Sequence, residues 1–146
     1  IWYHYPSEEK MKLITRDTDY AVRALCFIAG SKDKMLSAGR MVRELKVPRP
    51  FLRKILQKLN KTGLLRSRKG SGGGFSLSAQ ADKILLTDLI RVFQRDLKLN
   101  DCYLKKKPCP NRQMCPLKKK IDAIEKYVSL QLGSITIGGL IRERER

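Results

Sequence analysis

The amino-acid sequence predicts a mainly α-helical chain with one small β-hairpin, and three observations carry that expectation. Apolar residues recur at helical spacing in three successive short segments between Thr18 and Asn60. A glycine-rich run, Gly70-Ser71-Gly72-Gly73-Gly74, separates two short, weakly alternating segments, as a hairpin tip does. Near the C-terminus, Leu117, Ile121, Ile124, Val128 and Leu132 recur at spacings of four, three, four and four, a stripe that seeks another helix. Three helices, then a glycine-tipped hairpin, then a long helix with an apolar seam is the order of a winged helix-turn-helix domain followed by a dimerisation helix.

The first helix is expected over residues 18–29. Tyr20, Ala24, Phe27 and Ile28 share its apolar face, Thr18 or Asp17 caps it, and Gly30 stops it. Cys26 falls among Leu25, Phe27 and Ile28 and reads as a small core residue. The second helix spans 38–45, with Ser37 as N-cap and Leu36 stapled to Met41. Pro48 opens a third helix over 48–60 that buries Leu52, Ile55, Leu56 and Leu59, and Gly63 ends it. The hairpin joins 64–68 to 75–78. No nucleotide-binding fingerprint surrounds its glycines, since no Lys-Ser/Thr follows at the needed offset. A further helix is expected over 85–95. Residues 100–116 lose all periodicity, 117–131 form the seam helix, 134–137 are extended or a turn, and the alternating charges of 142–146 fray. The resulting organisation is a DNA-binding domain over 11–95, a cysteine loop over 96–116, and a dimerisation helix with its C-terminal segment over 117–141.

Charge supports the DNA assignment. The chain has 146 residues, of which 32 are Lys or Arg and 14 Asp or Glu, a formal charge of +18. Solubility needs a net charge of only about 2–8 in a small domain, so this excess implies a polyanionic partner. A hydrophobic content of 42% suffices for a packed core. No run of 18 apolar residues occurs, which argues against a membrane-spanning helix, and residues 1–10 lack the apolar centre of a secretory signal. Met11 opens a segment that reads as a natural beginning, with residues 1–10 as an extension. Of four cysteines, three cluster locally, which reads as a reduced, cytoplasmic chain rather than a disulfide framework.

Helix 48–60 is the candidate reader of a major groove. Arg49, Arg53 and Gln57 are placed to reach base edges, with Lys54, Lys58 and Lys61 on phosphates. Pro48 and Pro50 stiffen its start. Arg66, Arg68 and Lys69 beside Gly72 and Gly73 suit a wing, because a tip without Cβ atoms approaches a backbone or minor groove closely.

Cys102-x6-Cys109-x5-Cys115 places three soft donors within fourteen residues. Thiolates hold zinc or iron in a cluster, and the spacings depart from the paired knuckles of structural zinc. A cluster, zinc, redox thiols and no cofactor all stay open on the residues alone. Catalysis does not: no paired carboxylates, His base or activated nucleophile is present, and C-x-x-C is missing.

Several segments together resemble the IscR/NsrR family of bacterial winged-helix transcription regulators over roughly residues 11–140. They are Met11-Lys12-Leu13, Thr18-Asp19-Tyr20-Ala21-Val22-Arg23-Ala24-Leu25, Pro48-x-x-Phe51-Leu52-x-x-Ile55-Leu56-x-x-Leu59, Gly63-Leu64-Leu65, Gly70-x-Gly72-Gly73-Gly74-Phe75, Asp88-Leu89-Ile90, the three cysteines, and Ser134-Ile135-Thr136-Ile137-x-x-Leu140. The resemblance implies a homodimer on a double-stranded operator with two-fold symmetry, helix 48–60 in the major groove and the wing in the minor groove. It also implies that Cys102, Cys109 and Cys115 hold an iron–sulfur cluster whose gain or loss changes DNA affinity. The signals sensed in the family are nitric oxide, redox state and cluster supply.

The fourth ligand divides the family. The cluster-biogenesis regulators use a His three residues after the last Cys, where this chain has Lys118. The nitric-oxide-sensing repressors use an Asp from the partner subunit, and the matching position is Asp19, with Asp17 a neighbouring competitor. Three Cys and one Asp lean towards 4Fe-4S over 2Fe-2S through the resemblance only. A zinc-stabilised or cofactor-free DNA-binding regulator with structural cysteines is the rival reading. One further departure is Leu85, where the family often has a helix-capping Thr.

Overall fold

The computed structural model describes residues 12–95, 97–99 and 109–146, with the backbone of 103–104 and 107–108. The expectation of an extension over residues 1–10 lies outside the described residues, as does Met11.

Helix α1 (Arg16–Gly30) starts two residues before the periodicity suggests. Thr15 is its N-cap, and its hydroxyl accepts from the Thr18 N–H. Thr18, expected as a cap, is instead fully buried, with its hydroxyl 3.1 Å from that of Thr15. Neither Thr18 nor Asp17 therefore caps α1, and Gly30 is its last residue rather than its stop. Helix α2 (Ala38–Leu45) is capped by Ser37, as expected, and Lys46 turns the chain in the left-handed region at φ 53°. In α3 (Arg49–Lys61), Pro48 occupies the N-cap and Pro50 the first turn. That start needs no N–H from either proline.

Strands β1 (Leu65–Arg68) and β2 (Gly74–Leu77) pair antiparallel, with Leu65 opposite Leu77 and Arg68 opposite Gly74. The hairpin is anchored close to its turn, at the residue paired with Ser67. Leu36, in the link between α1 and α2, exchanges two backbone hydrogen bonds with Phe75, at 2.9 and 2.8 Å. A single 3-10 turn (Ala81–Lys83) leads to α4 (Leu86–Gln94). Leu85 stands at the N-cap and its side chain has no acceptor. The carboxylate of Asp88 accepts from the Leu85 N–H at 3.2 Å, so one of the orphaned donors of this helix start is met from within the helix.

Two-residue strands β3 (Tyr103–Leu104) and β4 (Lys107–Pro108) pair within the segment expected to be irregular. Helix α5 (Pro116–Gly133) follows, then α6 (Ile137–Arg144). The end of the chain departs from expectation. Thr136 caps α6 by accepting from Gly139 at 2.9 Å, and Arg142 pairs with Asp82 at 2.6 Å. Residues 142–144 are thus helical rather than frayed. Ile137 is fully buried, which draws α6 onto α1.

The main core collects Ala21, Ala24 and Leu25 of α1, Met41 of α2, and Leu52, Ile55, Leu56 and Leu59 of α3. Leu25 has no exposed surface. Leu25→Ala should cost about 2–5 kcal/mol by lost transfer energy and a residual cavity. A denaturant titration should show this as a lower midpoint with an unchanged slope.

A smaller cluster joins Leu86 and Ile90 of α4 to Leu132 of α5, with Val128 partly buried against it. The apolar stripe of α5 is therefore not one continuous free seam. Its C-terminal end docks on α4, while Leu117 (64% exposed) and Ile124 (51%) face outwards with Tyr127 (64%) and Leu130 (65%). Among the described residues, no helix is long and apolar enough to cross a membrane.

Candidate nucleic-acid interface

Helix α3 contains Arg49, Arg53, Lys54, Lys58 and Lys61 and no carboxylate. Its four buried leucine and isoleucine side chains face the core, so every one of those cations is left on the exposed side. The exposed side is itself divided. Arg49, Arg53 and Gln57 succeed one another at spacings of four and lie along one line of the helix. With Ala38 and Gly39 of α2 and Phe75 of β2 they line a cleft of about 350 Å³. The three residues expected to read bases are thus brought together in one cleft bordered by α2, α3 and the hairpin. Lys54 is exposed on another side. Lys58 lies with its ammonium 5.1 Å from the centre of the Phe93 ring of α4.

Arg66 and Arg68 are both exposed and two residues apart in β1, so they project from the same face of the hairpin. Lys69 is exposed at the tip. Arg68 also braces the turn, where its guanidinium donates to the Gly72 carbonyl at 3.0 Å.

Two glycines are required by space. A Cβ on Gly73 would lie 2.2 Å from the Arg68 carbonyl oxygen, and one on Gly74 would lie 2.3 Å from that of Leu36. Gly74 also has φ +143°, a conformation costly for any other residue. Gly74→Ala should cost about 1–3 kcal/mol in strain and break the bridge between Leu36 and Phe75. Amide hydrogen exchange at those two positions should accelerate, even where the helical core keeps its protection.

Sequence reasoning passed over Arg16. Its guanidinium stacks 4.5 Å from the centre of the Phe51 ring, beside the first turn of α3. The misplaced cap of α1 concealed it, because a helix thought to begin at Thr18 leaves Arg16 in a loop. Tyr127 and Leu130 were also passed over. They continue Ile124 at spacings of three, a row adjacent to the expected seam.

The thiol residues occupy the opposite end of the sequence. Cys115 is the N-cap of α5, and its Sγ accepts from the Lys118 N–H at 3.5 Å. Cys109 is half-buried at the start of the turn that leads there. Cys102 lies outside the described residues. Asp19 sits in the first turn of α1 and pairs with Arg23 at 2.9 Å. Lys118 is ion-paired with Asp122 one turn along α5. Among the described residues, no three His, Cys, Asp or Glu side chains come together as a metal-holding group. Cys26 is half-buried rather than part of the sealed core; burial pushes its thiol up, while the nearby Arg144 charge pulls it down.

Comparison with known proteins covers nearly the whole chain. The family model Rrf2, described as an iron-dependent transcriptional regulator, matches residues 14–143. A protein of Aquifex aeolicus described as an HTH-type transcriptional regulator is 32% identical over 129 residues, covering 87% of this chain and 90% of that protein. The HTH-type transcriptional regulator NsrR of Bacillus subtilis is 28% identical over 138 residues, covering 92% and 93%. The solved structure of T. potens IscR superimposes with a TM-score of 0.72 at 22% identity, covering 92% of this chain and 88% of that one.

Proposed function

The chain belongs to the Rrf2 family of transcriptional regulators, and from that premise we propose that it binds duplex DNA as a homodimer on an operator of two-fold symmetry. The observation that carries this is the alignment of Arg49, Arg53 and Gln57 in one cleft between α3 and the wing. A helix presenting such donors fits a major groove, and the braced glycine tip with Arg66, Arg68 and Lys69 fits the adjacent minor groove. Lys54, Lys58, Lys61 and Arg16 supply phosphate contacts. Residues 11–95 read DNA in this scheme, 96–116 carry the thiols and 117–141 join the two subunits. Fluorescence anisotropy with genomic duplex fragments tests it. Binding should fall steeply as salt rises, because each neutralised phosphate releases counterions. Salt-independent binding would sink the assignment.

Two readings of the cysteines are compatible with the same DNA-binding function. In the first, Cys102, Cys109 and Cys115 hold an iron–sulfur cluster, with Asp19 of one subunit as fourth ligand to the cluster of the other. The donor chemistry fits: three thiols are soft ligands for iron, and an Asp is a hard, displaceable one. The family description of iron dependence supports it. When bound, the cluster would supply a centre altered by nitric oxide, oxidation or iron supply. This chain's own part would be to hold it beside the start of α5, where Lys119 and Lys120 would offset negative charge.

The second reading is a cofactor-free or zinc-stabilised regulator with structural cysteines. Specific contacts favour it more directly, because Cys115 already caps α5 and Asp19 already pairs with Arg23. Anaerobic reconstitution with iron and sulfide separates the two. The cluster reading expects visible absorbance that bleaches faster in Asp19→Ala, whereas a zinc or metal-free form stays colourless.

A further inference from the structure

A second cleft, of about 560 Å³, shares no residue with the one beside α3. It lies where the C-terminal end of α1 and the link to α2 meet α6. Cys26, Phe27, Leu140 and Ile141 form its apolar wall, each half-buried. Its volume falls within the range of about 300–1,000 Å³ usual for small-molecule sites.

The charges around it do not cancel. Asp33 and Arg40 are ion-paired to each other. That leaves Lys32 and Arg144 against Glu145, an excess of one positive charge over an apolar wall. Arg144 lines the cleft together with Cys26 and Phe27, which puts its charge beside the apolar wall. Burial keeps that thiol protonated, so it adds neutral, polarisable surface.

We propose that this cleft binds a small organic carboxylate with an apolar body, and that its occupancy changes the grip on DNA. Arg144 and Lys32 would take the carboxylate, Arg144 through paired N–H donors. Phe27, Leu140 and Ile141 would take the apolar body. The route to the DNA-reading face is short. Ser31, Lys32 and Asp33 line the cleft and belong to the link whose Leu36 is hydrogen-bonded in both directions to Phe75 of the wing. Arg40 lies in α2 next to Gly39, which lines the α3 cleft. A ligand that shifts the link would shift Phe75 and Gly39, which line the cleft with Arg49, Arg53 and Gln57. This regulatory half rests on the DNA-binding function proposed above.

The test uses the full chain, methyl NMR, and two probes of nearly equal shape, 3-phenylpropanoate and the uncharged 4-phenylbutan-2-one. The acid should shift the Leu140 and Ile141 methyls saturably, and the ketone should bind about fivefold more weakly or worse. Arg144→Gln should lose a similar factor for the acid and none for the ketone, with its circular dichroism unchanged. Equal binding of the two probes, no loss in Arg144→Gln, or shifts confined to other methyls overturns the site. At saturating acid, duplex affinity should change by about fivefold or more, and duplex should change acid affinity by the same factor. Unchanged duplex affinity with the acid bound overturns the regulatory half. A chain that binds no duplex under any condition defeats the proposed function instead, and the NMR titration still decides the site.

Discussion

Arg53→Ala is expected to weaken operator binding by about 1–3 kcal/mol, roughly 5- to 150-fold, and to relax base preference at the position it reads. The loss should be one of contact rather than folding. Arg53 is exposed, while its neighbour Leu52 is fully buried and holds α3 in place from the other side. Lys54→Ala supplies the contrast. It should weaken all sequences alike and lower the slope of log affinity against log salt by about one, the signature of a lost phosphate contact. Anisotropy titrations on matched and scrambled duplexes across a salt series read both quantities. Arg112 is equally basic and exposed but lies in the turn before α5, so Arg112→Ala is the control. If it loses as much sequence discrimination as Arg53→Ala, the cleft is not the reader.

Ile124→Glu is expected to separate the subunits. Ile124 is 51% exposed, and Leu117, Tyr127 and Leu130 lie exposed on the same helix, a row of large apolar side chains turned to solvent. A carboxylate there costs the isolated subunit little, since it meets water. In a helix-to-helix interface it would be desolvated without a partner, which is strongly unfavourable. Sedimentation should therefore change from dimer to monomer while circular dichroism stays the same. A monomer engages only one half-site, and losing the second intramolecular contact should reduce operator affinity by about 10²- to 10⁴-fold. Leu132→Glu should behave differently. Leu132 is 7% exposed and packs on Leu86 and Ile90, so a charge there destabilises the subunit itself. If Ile124→Glu stays dimeric, the outward row of α5 is not the interface.

The contrast between Ile124 and Leu132 shows where sequence reasoning reaches its limit. Periodicity places both on one stripe of α5, and that much is legible, since spacings of four and three put side chains on one face. Which part of the stripe meets α4 and which part is left for a second subunit depends on where α4 lies. That position is set by contacts far apart in the chain, such as Leu86 to Leu132. The same limit explains the start of α1. Thr15, Asp17 and Thr18 are all capable caps. The choice of Thr15 follows from the burial of Thr18 and from Gln94 of α4, whose side chain accepts from the Thr15 N–H at 2.9 Å and donates to the Leu13 carbonyl at 3.1 Å.

By itself the sequence determined the order of the first five helices and of the glycine-tipped hairpin among them, the glycine tip, the buried face of α3 and the basic character of its other face. Each depends on local propensity and short-range spacing, which the chain carries without knowing its fold. Only the tertiary structure decided that Arg49, Arg53 and Gln57 share a cleft with the wing while Lys58 turns to Phe93. It also decided that Arg68 braces Gly72, that Asp19 and Cys115 already have partners, and that α6 closes over the end of α1 to form a second cleft. The two clefts and the Lys58–Phe93 contact are meetings between residues distant in sequence. They are settled by how the helices pack around Leu25, Leu56 and Ile137, and no local pattern encodes that packing.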